Sequence, residues 1–205
     1  MPSIDQSRSF IPLKIAVLTV SDTRALADDN SGAMLVGRIE KAGHVLAARE
    51  IVTDDAKKIS AQVKQWIADK AIDVVITTGG TGFTGRDVTP EAIEPLFEKR
   101  MDGFAMLFLL VSEEMIGTSA IQTRATAGVA NATFIFCLPG SPGACKDAWD
   151  EILLHQLDSR YRPCNFAEIL PRLNEHKTQP KAAKEKTVKT KKAATKKAKT
   201  KKAKP

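Results

Sequence analysis

Hydrophobic positions along the chain follow two alternating periods. Lys14 to Val20 (KIAVLTV) reads as the first strand, and Val74 to Ile76 is a short apolar run rich in β-branched residues, which reads as a strand buried on both faces of a parallel sheet. Between them Leu35, Ile39 and Ala42 recur at i, i+4 and i+7, and Ile59, Val63, Trp66 and Ile67 form a second stripe at helical spacing. Ser31 is a candidate N-cap for the first helix and Gly43 its stop. His44 to Val52 reads as a second, more polar strand, and Asp54-Asp55 opens the next helix. Phe104 to Ile116 predicts a helix that is apolar around most of its circumference, which suits a contact between subunits or a helix central to its own fold. Arg124 to Ala130 and Thr133 to Leu138, parted by Asn131-Ala132, predict two more strands, and Cys145, Ala148, Trp149, Ile152 and Leu157 continue a last buried helix face. The expected fold class is therefore α/β, a three-layer α/β/α sandwich with a mostly parallel sheet.

The candidate chemistry sits where strands run out. Beyond Ile76 the chain reads TTGGTGFTGRDVTPEA, and Gly79, Gly80, Gly82 and Gly85 permit positive φ and close approach, so successive N–H groups can converge on an anion. Thr89 and Pro90 read as N-cap and first position of a helix, with Glu91 in its first turn and an interruption at Pro95. Arg86 can hold a phosphate in two parallel hydrogen bonds, and Asp87 beside a phosphate suggests an intervening cation such as Mg2+. The other reading makes them solvated charges on a tight turn. Ser21-Asp22 ends the first strand, where open sheets bind ligands and where ordinary turn capping also places such residues. Asp54 reads by itself as an N-cap or first-turn acid. In LPGSPGA, Gly140 bends the loop while Ser141 and Pro142 supply an N-cap and first helical position, a second junction that either faces an anion or simply caps a helix.

Composition changes the picture at one end. The segment from Lys181 to Pro205 has twelve lysines and one glutamate, a net +11 against +7 for the whole chain, so residues 1–180 carry −4. The basic balance thus describes a tail over residues 174–205, expected to be disordered and open to weak, sequence-blind polyanion or nucleic-acid contact. No aromatic residue interleaves its lysines, so nothing in it reads bases. Residues 1–13 read as a polar leader and 14–173 as one domain. Cys137, Cys145 and Cys164 form no CxxC pair and read as buried or half-buried free thiols of a reducing cytosol. A polar Met1–Ser9 and the absence of an apolar run near membrane-spanning length predict a soluble, cytoplasmic protein.

Four blocks carry a resemblance. GGTGFTGRDVTPEA (Gly79 to Ala92), VSDTR (Val20 to Arg24), TSAIQTRATAG (Thr118 to Gly128) and LPGSPGA (Leu138 to Ala144) are similar to the signature of the molybdopterin-binding MoaB/Mog family, over about residues 13 to 173. The family includes molybdopterin adenylyltransferases and the related domain of gephyrin. The resemblance implies transfer of AMP from ATP, with Mg2+, to the terminal phosphate of molybdopterin, releasing pyrophosphate, in a homotrimer or homohexamer. It implies Asp54 and Asp87 as the catalytic, metal-holding carboxylates. Gly79, Gly80, Thr81, Gly82, Arg86, Gly140, Ser141 and Pro142 would bind the nucleotide, and Ser21, Asp22, Thr123 and Arg124 the pterin. Met106 and Leu109 stand where MoaB-type members often have Glu and Arg, and Thr123 where they often have Ser. A non-catalytic protein that binds molybdopterin or scaffolds a partner enzyme is the alternative.

Overall fold

Six strands form one sheet in a computed structural model that describes residues 2–178; the lysine-rich segment and the readings made for it lie outside those residues. In chain order the elements are Ser3–Ile4 (β1), Lys14–Val20 (β2), Asn30–Lys41 (α1), Val45–Val52 (β3), Ala56–Ala68 (α2), Val74–Thr78 (β4), Thr89–Ile93 (α3), Lys99–Arg100 (β5) and Asp102–Ile116 (α4). Thr126–Ala130 (β6), Thr133–Leu138 (β7), Pro142–Ala148 (α5), a π-helical segment Trp149–Leu153, Leu154–Gln156 (α6), Tyr161–Arg162 (β8) and Phe166–Ile169 (α7) complete the compact unit, which ends at Leu173. A short helix, Glu175–Thr178 (α8), follows it.

The main sheet has the order β3-β2-β4-β7-β6-β5. β3, β2, β4 and β7 run parallel, whereas β6 pairs antiparallel with β7, and β5 antiparallel with β6. The β6–β7 pair is a hairpin, turned by Asn131 (φ 48) and Ala132 (φ 64), which both adopt the left-handed backbone that a two-residue hairpin loop requires. Alternate residues of each inner strand serve opposite layers. Ile15, Val17, Val74, Ile76, Phe134 and Phe136 pack with Leu35, Phe104, Phe108 and Trp149 on one face, while Ala16, Leu18, Val75 and Ile135 pack with Ile59, Val63, Trp66 and Ile93 on the other. The fold is a three-layer α/β/α sandwich, with α1, α4 and α5 facing one side and α2 and α3 the other.

Several local expectations shift. Asp29 caps α1, accepting from the Gly32 amide at 2.9 Å, so Ser31 lies inside the helix. Thr89 is the first residue of α3, whose N-cap is Val88, because its side chain is drawn instead to a loop carbonyl. Cys164 is exposed, unlike Cys137 and Cys145. Residues 102–122, α4 and the 3-10 segment after it, are 21 residues long and apolar enough to cross a membrane by length and composition, where no such run was expected from the sequence. In the fold, Phe104, Phe108 and Ser112 of this helix face the core, and Met106, Leu107, Leu109, Leu110, Met115 and Ile116 form an exposed apolar outer side.

The first residues pack onto the domain. β1 pairs antiparallel with β8, the Ile11 amide donates to Ser159 Oγ at 2.9 Å, and Arg8 forms an ion pair with Glu168. The Phe10 ring lies 5.1 Å from the His44 ring and 5.2 Å from the Arg160 guanidinium carbon. Burial of the His44 imidazole pushes its pKa below the ordinary value, which suits a neutral ring accepting from the Leu13 amide. Phe10→Ala is expected to cost about 1–3 kcal/mol, read as a lower urea midpoint. An unchanged midpoint would show that these residues lie outside the cooperative unit.

Candidate functional site

The four parallel strands end on one edge, and the chain crosses over there: β2 leads through α1 to β3 on one side, and β3 leads through α2 to β4 on the other. Such a switch point leaves a crevice between the corners that follow neighbouring strands. Gly79 makes the crevice tight. It has φ +103, and a Cβ built there would lie 2.3 Å from the Val20 carbonyl oxygen, while a Cβ on Gly140 would lie 3.2 Å from the Gly79 Cα. The exits of β2, β4 and β7 therefore touch through residues without side chains. Thr78 ties the third corner down: its hydroxyl donates to the Pro139 carbonyl at 2.8 Å and lies 3.1 Å from Cys145 Sγ.

Gly80 (φ +65) comes next, and a Cβ there would meet Thr89 Oγ1 at 2.4 Å and Asp54 Oδ1 at 3.2 Å; one on Gly82 would meet Asp87 Oδ2 at 2.8 Å. The carboxylates of Asp54 and Asp87 thus flank one short stretch of glycine backbone. Asp55, not Asp54, caps α2, accepting from the Lys57 and Lys58 amides, so Asp54 is released from helix capping. Asp22 joins the corners: Oδ1 accepts from the Asp54 amide at 3.1 Å, and Oδ2 accepts from Arg86 Nε at 2.9 Å. Asp87 Oδ2 accepts from both the amide and the hydroxyl of Thr84, at 2.8 and 2.6 Å, which closes the loop on itself.

Charge is distributed unevenly over these acids. The Arg86 hydrogen bond holds Asp22 below the ordinary carboxylate range, and the Thr84 hydroxyl does the same for Asp87. Asp54 is pushed up, first by burial and then by the Asp22 charge, with Arg86 opposing and Asp87 adding to the rise. Among the described residues no group of three or more His, Cys, Asp or Glu side chains could hold a metal by itself. Asp54 and Asp87 would offer two hard carboxylate oxygens, a donor set that fits Mg2+ only if other oxygen ligands, such as phosphate and water, complete it.

The remaining expected site residues fall around this centre. Ser21 Oγ accepts from the Thr23 and Arg24 amides, which is turn capping at the mouth of the crevice. Gly140 O accepts from Ser31 Oγ at 2.8 Å and from Arg24 at 3.3 Å, and Ser141 caps α5 through the Ala144 amide, with Pro142 at the helix start. Thr123 Oγ1 lies 3.2 Å from Thr81 Oγ1. Arg124 spends its donors on loop carbonyls and on Glu91. All four corners and the 123–124 segment therefore meet at one edge of the sheet.

Residues 16–159 match the family described as a probable molybdopterin binding domain. This chain belongs to the molybdopterin-binding MoaB/Mog family. Among MoaB/Mog relatives, molybdenum cofactor biosynthesis protein B of Escherichia coli (strain K12) is 50% identical over 160 residues, 78% of this chain and 94% of the relative. The protein of the same name from Bacillus subtilis (strain 168) is 44% identical over 158 residues, covering 76% and 93%. A crystal structure of a molybdenum cofactor biosynthesis protein B superposes with a TM-score of 0.74 at 36% identity, over 82% of this chain and 99% of the other.

Asp29 lies outside the four blocks, and Thr89 was read only as a helix cap, yet both organise the site. Thr89 is fully buried and donates to the Gly79 carbonyl at 2.8 Å; Asp29 is 1% exposed and accepts from Thr19 at 2.7 Å and from Arg49 at 3.0 Å. A capping acid three residues before Gly32 was the available signal for Asp29. Because the folded chain holds the Asp54 proton more tightly than the unfolded chain, stability falls as pH rises above the unfolded value of about 3.9. Asp54→Asn is therefore expected to raise Tm by about 1–3 °C at neutral pH, and the gain to disappear below about pH 4. A lower Tm at neutral pH would contradict the crowding of charge at Asp54.

Proposed function

We propose that this protein works in molybdenum cofactor biosynthesis by adenylylating molybdopterin with Mg-ATP, in the cytoplasm. One oxygen of the molybdopterin terminal phosphate attacks the α-phosphorus of ATP, the bond from that phosphorus to the bridging oxygen breaks, and pyrophosphate leaves with the electron pair. The observation that carries the reading is that the Asp54 and Asp87 carboxylates both lie against the same glycine stretch, Asp54 at Gly80 and Asp87 at Gly82. A protein that only held the pterin would have no use for two acids beside an anion cradle.

Two negatively charged phosphates must be brought together, so the site has to neutralise charge and hold the atoms in line. The amides of Gly80 and Thr81 donate to no other described residue and would hold phosphate oxygens. Arg86, 66% exposed and paired only at its Asp22 end, would turn to phosphate, and the α5 start at Ser141-Pro142 would meet a second anionic group. Asp54 and Asp87 would hold Mg2+, and Mg2+ when bound would offset phosphate charge. Ser21, Asp22 and Thr123, at the rim, would contact the pterin. The outer side of α4, with Met106 at 68% and Leu110 at 65% exposed, supports a homo-oligomer, for which the family resemblance implied a trimer or a hexamer.

Asp87→Asn is the direct test, since an amide oxygen can still accept from Thr84 and keep the loop closed. Pyrophosphate release with ATP and molybdopterin is expected to fall about 10²-fold or more without loss of Tm; release at the wild-type rate would remove Asp87 from the mechanism. Leu110→Lys is expected to convert the assembly to monomers in sedimentation velocity, and an unchanged sedimentation coefficient would move the contact elsewhere.

A further inference from the structure

Four consecutive carbonyls of the glycine loop, those of Gly79, Gly80, Thr81 and Gly82, are held by two residues. Thr89 takes the first two: its hydroxyl donates to Gly79 O at 2.8 Å and its amide to Gly80 O at 2.9 Å. Arg124 takes the next two, donating from its amide to Thr81 O at 2.9 Å and from Nε to Gly82 O at 2.8 Å. The Arg124 guanidinium also donates to Asp87 O at 2.8 Å and pairs with the Glu91 carboxylate, and it lies 5.5 Å from the centre of the Phe83 ring. Nε and both terminal nitrogens of the guanidinium are therefore in use.

In a planar trans peptide the C=O and the following N–H point in opposite directions. The carbonyls that Thr89 holds therefore fix the peptides carrying the Gly80 and Thr81 amides, and those that Arg124 holds fix the peptides carrying the Phe83 amide and the Gly82 amide, which donates to the Asp87 carboxylate. A planar fork with several fixed donors can hold two carbonyls and a carboxylate at once, which a lysine ammonium on a flexible stem cannot.

We propose that Arg124 is a positioning residue: it fixes the second half of the glycine loop and the Asp87 carbonyl, and so sets the Asp87 carboxylate and the Gly82 amide that donates to it against the Gly80 and Thr81 amides, without itself touching nucleotide or pterin. This departs from the pterin contact that the resemblance implied for Arg124, and its kinetic consequence rests on the adenylyl-transfer reading. The clamp also spans two elements, because Glu91 belongs to α3 and Arg124 precedes β6. An open cleft of about 590 Å3, lined by Pro90, Glu91, Glu94, Pro95, Arg100 and Arg124, lies against the guanidinium. Free guanidinium can reach the vacated position through it.

The test compares full-length wild type, Arg124→Ala and Arg124→Lys without ligand, by amide hydrogen exchange over residues 79–89. Exchange in that segment is expected to quicken about tenfold in both variants while α1 and α2 keep their protection. Millimolar guanidinium chloride is expected to restore much of the protection to Arg124→Ala and none to Arg124→Lys, whose ammonium still fills the position. Arg124→Lys also covers the case in which Arg124→Ala fails to fold. In the transfer assay, kcat is expected to fall about 10²-fold, with KM for molybdopterin changed by less than about threefold. Unchanged loop exchange together with a large rise in KM for molybdopterin would overturn the proposal and make Arg124 a ligand group. Wild-type protein that releases no pyrophosphate would refute the transfer reading instead, and the exchange result would still decide the clamp.

Discussion

The site depends on a missing side chain. Where β4 leaves the sheet, its next residue lies on the last carbonyl of β2, at a distance where no Cβ could stand, and the corner after β7 lies on that same residue in turn. Any side chain at Gly79 would force the β2 and β4 exits apart. The acids delivered by the β2 and β3 corners would then no longer reach the backbone that follows β4. Parallel strand order puts the corners on one edge; the close approach makes them one site.

Packing that tight brings like charges together. Asp22, Asp54 and Asp87 lie close together with Arg86 as their nearby cation, and Asp54, the most buried of them, carries the cost as a raised pKa. Such an arrangement is poor for stability and well suited to a ligand that arrives with a cation. The apolar layers above and below the sheet supply the stability that the edge does not.

Much of this was legible in the chain. β-branched runs located the inner strands to within a residue or two, because strands buried on both faces leave few alternatives, and Ser141-Pro142 fell where a cap and a first turn were expected. The placements that moved did so for tertiary reasons. Ser31 yielded the cap of α1 to Asp29, since its hydroxyl is needed at Gly140 O, and Thr89 yielded a cap because its hydroxyl is needed at Gly79 O. β1 was hidden for a related reason: a two-residue strand has no period to read, and its partner lies more than 150 residues away. The role of Arg124 depends on contacts with a loop some 40 residues earlier, which no local pattern announces.

The thiol beside the third corner has a chemical consequence. Cys145 is buried against Thr78 with its pKa pushed up to about 11, and Cys137 is pushed up to about 12 by burial, so neither forms a thiolate at neutral pH. Peroxide and electrophiles would pass the corner after β7 without reacting. Cys164 alone is accessible of the three cysteines in the chain, so a maleimide dye would mark the native protein at a single position.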